Sequence, residues 1–325
     1  MKRFFLFSLG YLALSALLVM LIRDKPMAQF ADILNRGEWA IRTAFSALPF
    51  LAAGFAAIYY MSRSVGGKNM IFEAAWALAA CFAFTAAFTF IKSAMPFFIP
   101  FYADTFFADL DKAMHGGVDP WVYTHQFSHI LDVDFVKLHY FAIWSVPALF
   151  FPFLLALFDR DPIRKRTYLQ LFTFAWVGLG NIAAYASASV GPVYYDRLLG
   201  TDRFAGLTQS MKDIGFEDSL IGMLQEGLWD NYVDGAQTVG SGISAFPSVH
   251  VAVATLLMLY LFDRSKYLLP IGAAYLAIIL VLSVHLGWHY AVDGYFSIAA
   301  VTLAWAALWR VNTRSATRPN LPAKP

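Results

Sequence analysis

His289 and Asp293 stand four residues apart near the start of an apolar stretch, and Pro247-Ser248-Val249-His250 opens another. An imidazole whose second nitrogen meets a carboxylate is held in one tautomer, and any positive charge it develops is stabilised. At that spacing, on a helix beginning near Trp288, both side chains share one face of the N-terminal end. A carboxylate and a bound anion are both favoured there by the helix dipole. Pro247 fits the first position of a helix, after which Ser248 and the following N–H groups can face a phosphate. His250 follows within the first turn, placed to protonate a leaving alkoxide. Read alone, either motif is also an ordinary helix cap beside an interfacial histidine.

Phosphoryl transfer through a covalent intermediate needs these parts: a nucleophile, an acid for the leaving oxygen, and donors for the phosphate oxygens. Metal binding is a second reading, because His285, His289 and Asp293 recur every four residues. Gly287 interrupts that series, and two histidines with one carboxylate make a thin hydrolytic metal site. His125 and His129, with His115 and His139 nearby, raise the same question and read better as interfacial polar residues.

The elements that must position these residues are membrane helices. Of 325 residues, 59% are hydrophobic and 14% charged, a balance that points to lipid as the main solvent. Eight stretches approach the roughly 20 apolar residues that cross a bilayer. They lie near 4–22, 41–61, 72–92, 138–158, 167–188, 247–262, 267–283 and 290–309, the sixth and seventh being short. The first follows Met1-Lys2-Arg3 and is too long for a signal-peptide core. The net charge of +2, with no basic run interleaved with aromatics, excludes a nucleic-acid partner. The single cysteine, Cys81, forms no intrachain disulfide.

Basic residues gather in alternate loops: Lys2 and Arg3; Arg63 and Lys68; Arg160, Arg164, Lys165 and Arg166; Arg264 and Lys266; and the tail from Arg310 to Lys324. The positive-inside rule makes these cytoplasmic, so both termini lie inside. Arg23, Lys25, Arg36 and Arg42 in the first outer loop run against this pattern. The segment 189–246 and the turn 284–289 then open onto the outer face of the plasma (inner) membrane. Segments 96–137 and 189–246 are too long for simple connectors and read as outer insertions at the mouth. The organisation expected is two N-terminal helices over 1–70, a membrane core over 71–311, and a disordered cytoplasmic tail over 312–325.

The paired motifs resemble those of the type-2 phosphatidic acid phosphatase superfamily, whose second motif reads P-S-G-H and whose third ends G-x-H-x-x-x-D. Here they are Pro247-Ser248-Val249-His250 and Gly287-Trp288-His289-Tyr290-Ala291-Val292-Asp293. The forms F-P-S-x-H and H-Y-x-x-D look closest to the branch of inositol phosphorylceramide synthases, the inositolphosphotransferases. The resemblance covers the last six helices, from about Phe72. It implies an all-α polytopic protein of about eight helices, with a six-helix core and outer interfacial helices. It also implies His289 as nucleophile, Asp293 as its orienting partner and His250 as acid. No cofactor and no metal is needed for that chemistry.

The departures concern charge. The third motif carries an Arg six residues before its nucleophile, where this chain has Ser283. The first motif, K-x6-R-P, is answered only by Ser189-Val190-Gly191-Pro192-Val193-Tyr194-Tyr195-Asp196-Arg197. Arg197 is therefore the candidate phosphate clamp, with Arg203 and Lys212 as weaker substitutes and Ser248, Ser283 and His285 as further phosphate-site residues. Lys92 with Ile99-Pro100 lacks the Arg and lies two helices too early. The expected activity is transfer or hydrolysis of a phospholipid or lipid-linked phosphate, with water, inositol or a sugar alcohol as acceptor. Two other readings are a catalytically inactive lipid-binding or transport relative and an intramembrane metal-dependent hydrolase.

Overall fold

The computed structural model describes residues 1–22, 67–234 and 242–317. The span expected at 41–61, the first outer loop, most of the Gly240-Ser241-Gly242 loop and the end of the tail lie outside the described residues. In chain order the helices are α1 (Lys2–Ile22), α2 (Gly67–Phe98), α3 (Asp104–Met114), α4 (Trp121–His125), α5 (Val133–Phe158) and α6 (Pro162–Ala186). There follow α7 (Pro192–Leu199), α8 (Ala205–Asp213), α9 (Leu220–Val233), α10 (Val249–Arg264), α11 (Lys266–His285) and α12 (Ala291–Thr317). No strand occurs among the described residues. The protein is an all-α polytopic membrane protein. Six of these helices, α1, α2, α5, α6, α11 and α12, are long and apolar enough to cross a bilayer. Helix α10, expected as a short span, is 16 residues long. It falls below that length, although the six residues from Val251 to Leu256 are buried.

Contacts divide the chain into two units. Residues 1–101, 152–157 and 218–243 form the first, and the remainder forms the second. In the first, α1 packs along α2 through rings such as Phe4, Tyr11 and Phe84. Lys92 belongs to this unit, where Gly242 lies against its backbone so closely that a Cβ would stand 2.6 Å from its carbonyl.

The second unit carries both sequence motifs. Helix α10 packs against α11, α12 and α6. Its C-terminal end is fixed by a polar network: Tyr168 of α6 and Trp305 of α12 both donate to Asp263. Arg164, expected only to mark the cytoplasmic side, forms a two-pronged pair with fully buried Asp159, at 2.6 and 3.0 Å. Arg264 approaches the same carboxylate at 4.0 Å. His250 and Arg264 are fourteen residues apart along α10, about 21 Å at the helical rise. The basic residues and the histidines thus occupy opposite ends of one helix.

Candidate active site

The two motif turns are held by caps. Ser248 is the N-cap of α10, its Oγ accepting the Val251 N–H at 3.3 Å. Pro247 is therefore the residue before the cap, joined to Phe246 by a cis peptide, not the first helical residue. Helix α12 begins at Ala291, later than the Trp288 start expected from sequence. His289 thus lies in the turn that leads into the helix, and Asp293 is the helix's third residue. The turn reverses at Gly287, whose φ of +64 favours glycine. A Cβ there would also stand 2.7 Å from Leu207.

His289 and Asp293 do meet. The Nδ1–Oδ2 distance is 3.4 Å, with His289 6% exposed and Asp293 fully buried. A closer acceptor is the carbonyl of Ala245, 2.6 Å from the same nitrogen. Nδ1 therefore carries the proton and donates it to Ala245, and Nε2 holds the nucleophilic lone pair. Asp293 Oδ2 also accepts the Tyr290 N–H at 2.9 Å, closing the turn on itself. His250 lies beside this pair, its ring centroid 5.9 Å from that of His289 and inclined by 61°. The His250 ring is itself clamped between Tyr140, at 4.3 Å and 12°, and Trp144, at 3.9 Å and 25°. The Trp144 indole N–H donates to the His250 carbonyl at 3.1 Å, and Trp288 borders the same ring edge-on.

Two carboxylates that sequence reasoning missed hold this assembly in place. Asp104 and Asp111 sit seven residues apart on the buried face of α3. Asp111 accepts the N–H groups of Ala291 and Val292, at 3.0 and 3.1 Å. Asp104 accepts those of Val190 and Gly191, the Ser189 hydroxyl and the Tyr290 hydroxyl. Ser189 in turn receives the Ala245 N–H at 2.8 Å, and the Ala245 carbonyl is the one that anchors His289. Gly191, at φ +85, permits this approach: a Cβ would lie 2.6 Å from the Trp288 carbonyl. Burial pushes the Asp104 and Asp111 carboxyls above their ordinary range, against the hydrogen bonds that favour their charged forms. Burial first, then the neighbouring Asp104 and Asp293, keeps the Tyr290 hydroxyl protonated and so a donor. The signal in the sequence was the acids Asp104 and Asp111 spaced at two helical turns in an aromatic segment.

These caps revise the picture of anion binding at the last helix. Its first two N–H groups are occupied by Asp111, and Asp293 takes the N–H of Tyr290 just ahead of them, so the dipole there is matched by carboxylates rather than presented to a phosphate. The other expected phosphate residues are dispersed. Ser248 is fully buried as the cap, retaining a hydroxyl proton to donate. Ser283 donates to the Ile279 carbonyl and lies 3.2 Å from the Tyr140 hydroxyl, so a tyrosine occupies the neighbourhood of the missing Arg. His285 ends α11, its Nε2 bonded to the Leu131 carbonyl and its ring 4.4 Å from that of His125. Arg197 is exposed in the last turn of α7, about 9 Å along the helix from Gly191. Arg203 is bound to Asp109, Asp119 and the Ala108 carbonyl, and Lys212 pairs with Glu217. His125 bonds Ser210 and the His285 carbonyl, and His115 bonds the Asp111 carbonyl and Tyr295. Among the described residues, no group of three His, Cys, Asp or Glu side chains is arranged to hold a metal ion.

No curated protein and no solved structure matches the chain. The family model described as the PAP2 superfamily matches residues 105–310, a stretch that contains His250, His289, Asp293 and Asp111. With that match spanning more than half its length, the chain belongs to the PAP2 superfamily, which generally comprises phosphatases and phosphotransferases.

Proposed function

We propose that the protein transfers or hydrolyses a lipid-linked phosphate through a phosphohistidine on His289. The observation that carries this reading is the anchored His289 imidazole with the His250 ring 5.9 Å away, near enough for one phosphoryl group to contact both. Nε2 of His289 attacks phosphorus while His250 gives its proton to the leaving oxygen. The Ala245 carbonyl and Asp293 stabilise the imidazolium character that develops as the N–P bond forms. Water or an alcohol, activated by His250 now acting as base, then takes the phosphoryl group. Arg197 meets the phosphate from the rim, and the Ser248 hydroxyl from the α10 cap. The chemistry uses no metal.

The surroundings favour a phosphodiester donor over a monoester. Tyr140, Trp144 and Trp288 wall His250 with rings, and Asp104, Asp111 and Asp293 place three buried carboxyl groups behind the dyad. A diester carries one negative charge, whereas a monoester carries nearly two at neutral pH. The monoester therefore meets more repulsion where Ser283 stands instead of Arg. Head-group transfer, to inositol or a sugar alcohol, fits this balance. The separation of the basic end of α10 from the histidine end supports a site on the outer face of the plasma membrane, with both termini cytoplasmic.

Purified protein incubated with a panel of labelled phospholipids, with and without inositol, tests the reading. Head-group exchange identifies a transferase and phosphate release a phosphatase. Absence of both, or loss of turnover with a chelator, overturns the proposal in favour of a binding protein or a metal hydrolase.

A further inference from the structure

Helix α3 has two contrasting faces. Asp104, Phe107, Ala108 and Asp111 are buried, and through the two carboxylates this face caps residues 190–191 and 291–292. On the other face Phe106, Leu110 and Met114 follow one another every four residues, at 63%, 37% and 58% exposure, and Tyr102, two residues before the helix, is 61% exposed. That spacing lines one side of a helix. Exposed apolar side chains continue beyond it at Tyr123, Phe127 and Ile130. A contiguous apolar row of this kind marks a contact surface rather than a solvated one.

The position of α3 identifies what covers the row. Asp111 caps the first two residues of the span Ala291–Arg314, so α3 lies against the end of an apolar helix long enough to cross a bilayer. Ile130 precedes the start of another span, Val133–Phe158, by three residues. A short helix in that position, with aromatic and aliphatic residues on one side and Asp109 and Lys112 exposed nearby, suits the boundary between headgroups and acyl chains. We propose that α3 lies in the bilayer interface, with Phe106, Leu110 and Met114 embedded in lipid. The same contact holds the His289 turn in register through Asp104 and Asp111, so that the dyad is set only when the helix is seated in a membrane. This second part rests on the proposed function of His289; the first does not.

The test uses the full chain in lipid nanodiscs, on a Cys81→Ser background, with spin labels attached at Phe106→Cys, Leu110→Cys, Asp109→Cys and Lys112→Cys. Labels at 106 and 110 are expected to collide more with oxygen than with an aqueous nickel chelate, and labels at 109 and 112 the reverse. Equal access of the chelate to all four positions overturns the interfacial placement. For the coupling, histidine-selective nitrogen-15 spectra of the Phe106→Ser/Leu110→Ser variant should show the single His289 Nδ1–H resonance shifted or split. Turnover should fall about tenfold with KM unchanged, as for a modest misplacement of a catalytic group. The conservative Phe106→Leu/Leu110→Ile variant should restore both. A wild-type resonance in the serine variant overturns the coupling, and because that readout needs no turnover, its failure is separate from any failure of the phosphohistidine reading.

Discussion

The imidazole Nδ1 of His289 lies 2.6 Å from the backbone carbonyl of Ala245, nearer than the 3.4 Å that separates it from Asp293. A peptide carbonyl, which no side-chain substitution removes, therefore sets the tautomer of the candidate nucleophile. Ala245 belongs to the segment just before the Pro247-Ser248-Val249-His250 motif, so the backbone of one motif orients the histidine of the other.

This arrangement predicts a graded response at the dyad. In a triad whose carboxylate alone sets the tautomer, its amide variant loses about 10⁴ in kcat. Here Asp293→Asn should lose only about 10- to 100-fold, because Ala245 still holds the Nδ1 proton and only charge stabilisation is weakened. His289→Ala should abolish turnover with the fold intact. Steady-state rates on a common lipid substrate decide it, and a full 10⁴-fold loss in Asp293→Asn would show that Ala245 does not hold the tautomer.

The clamp on His250 makes a second prediction. Trp144 both stacks on the ring and binds its backbone carbonyl, and aromatic pairs contribute about 0.5–1.5 kcal/mol beyond their burial. Trp144→Leu should lower kcat about tenfold with little change in KM. Trp144→Phe, which retains a face, should keep most of the rate. Equal losses in both variants would assign the effect to the indole N–H bond.

The spacing of His289 and Asp293 anticipated their contact, and the pairing of the two motifs anticipated His250 beside them. Apolar run lengths located the six spans of the described residues. What was not legible depends on contacts distant in sequence. Asp104 and Asp111 cap N–H groups about 90 and 180 residues away, and nothing local distinguishes such acids from solvated ones. The start of α12 moved from Trp288 to Ala291 because Gly287 turns the chain and Asp111 supplies the cap. A charge count makes Arg164 a topology marker and carries no sign of its buried partner Asp159.

That pair supports a stability prediction. Asp159 is fully buried and held by two Arg164 nitrogens. Removing one partner of a buried pair costs about 3–5 kcal/mol, because the other charge is left uncompensated. Arg164→Gln should lower the unfolding midpoint in detergent by several degrees, and an exposed neighbour, Arg166→Gln, should leave it nearly unchanged. Equal midpoints for the two variants would refute a structural role for the pair.

A pH dependence follows from His125. Burial lowers its pKa below the ordinary value of 6.5, partly offset by its bond to the His285 carbonyl. The unfolded chain thus binds the proton more readily, so stability from this residue is present above about pH 6.5 and is lost as pH falls from there towards the lowered native value. The unfolding midpoint should drop between pH 7 and pH 5, and His125→Gln should flatten that drop. An unchanged slope in the variant would remove His125 from the account.

The most direct test of the central claim is to trap the covalent intermediate. Protein quenched during turnover of a phosphorus-labelled phospholipid should carry an acid-labile, alkali-stable phosphate on the peptide containing His289, and His289→Ala should carry none. Full turnover in His289→Ala, or label mapped to another residue, would contradict it.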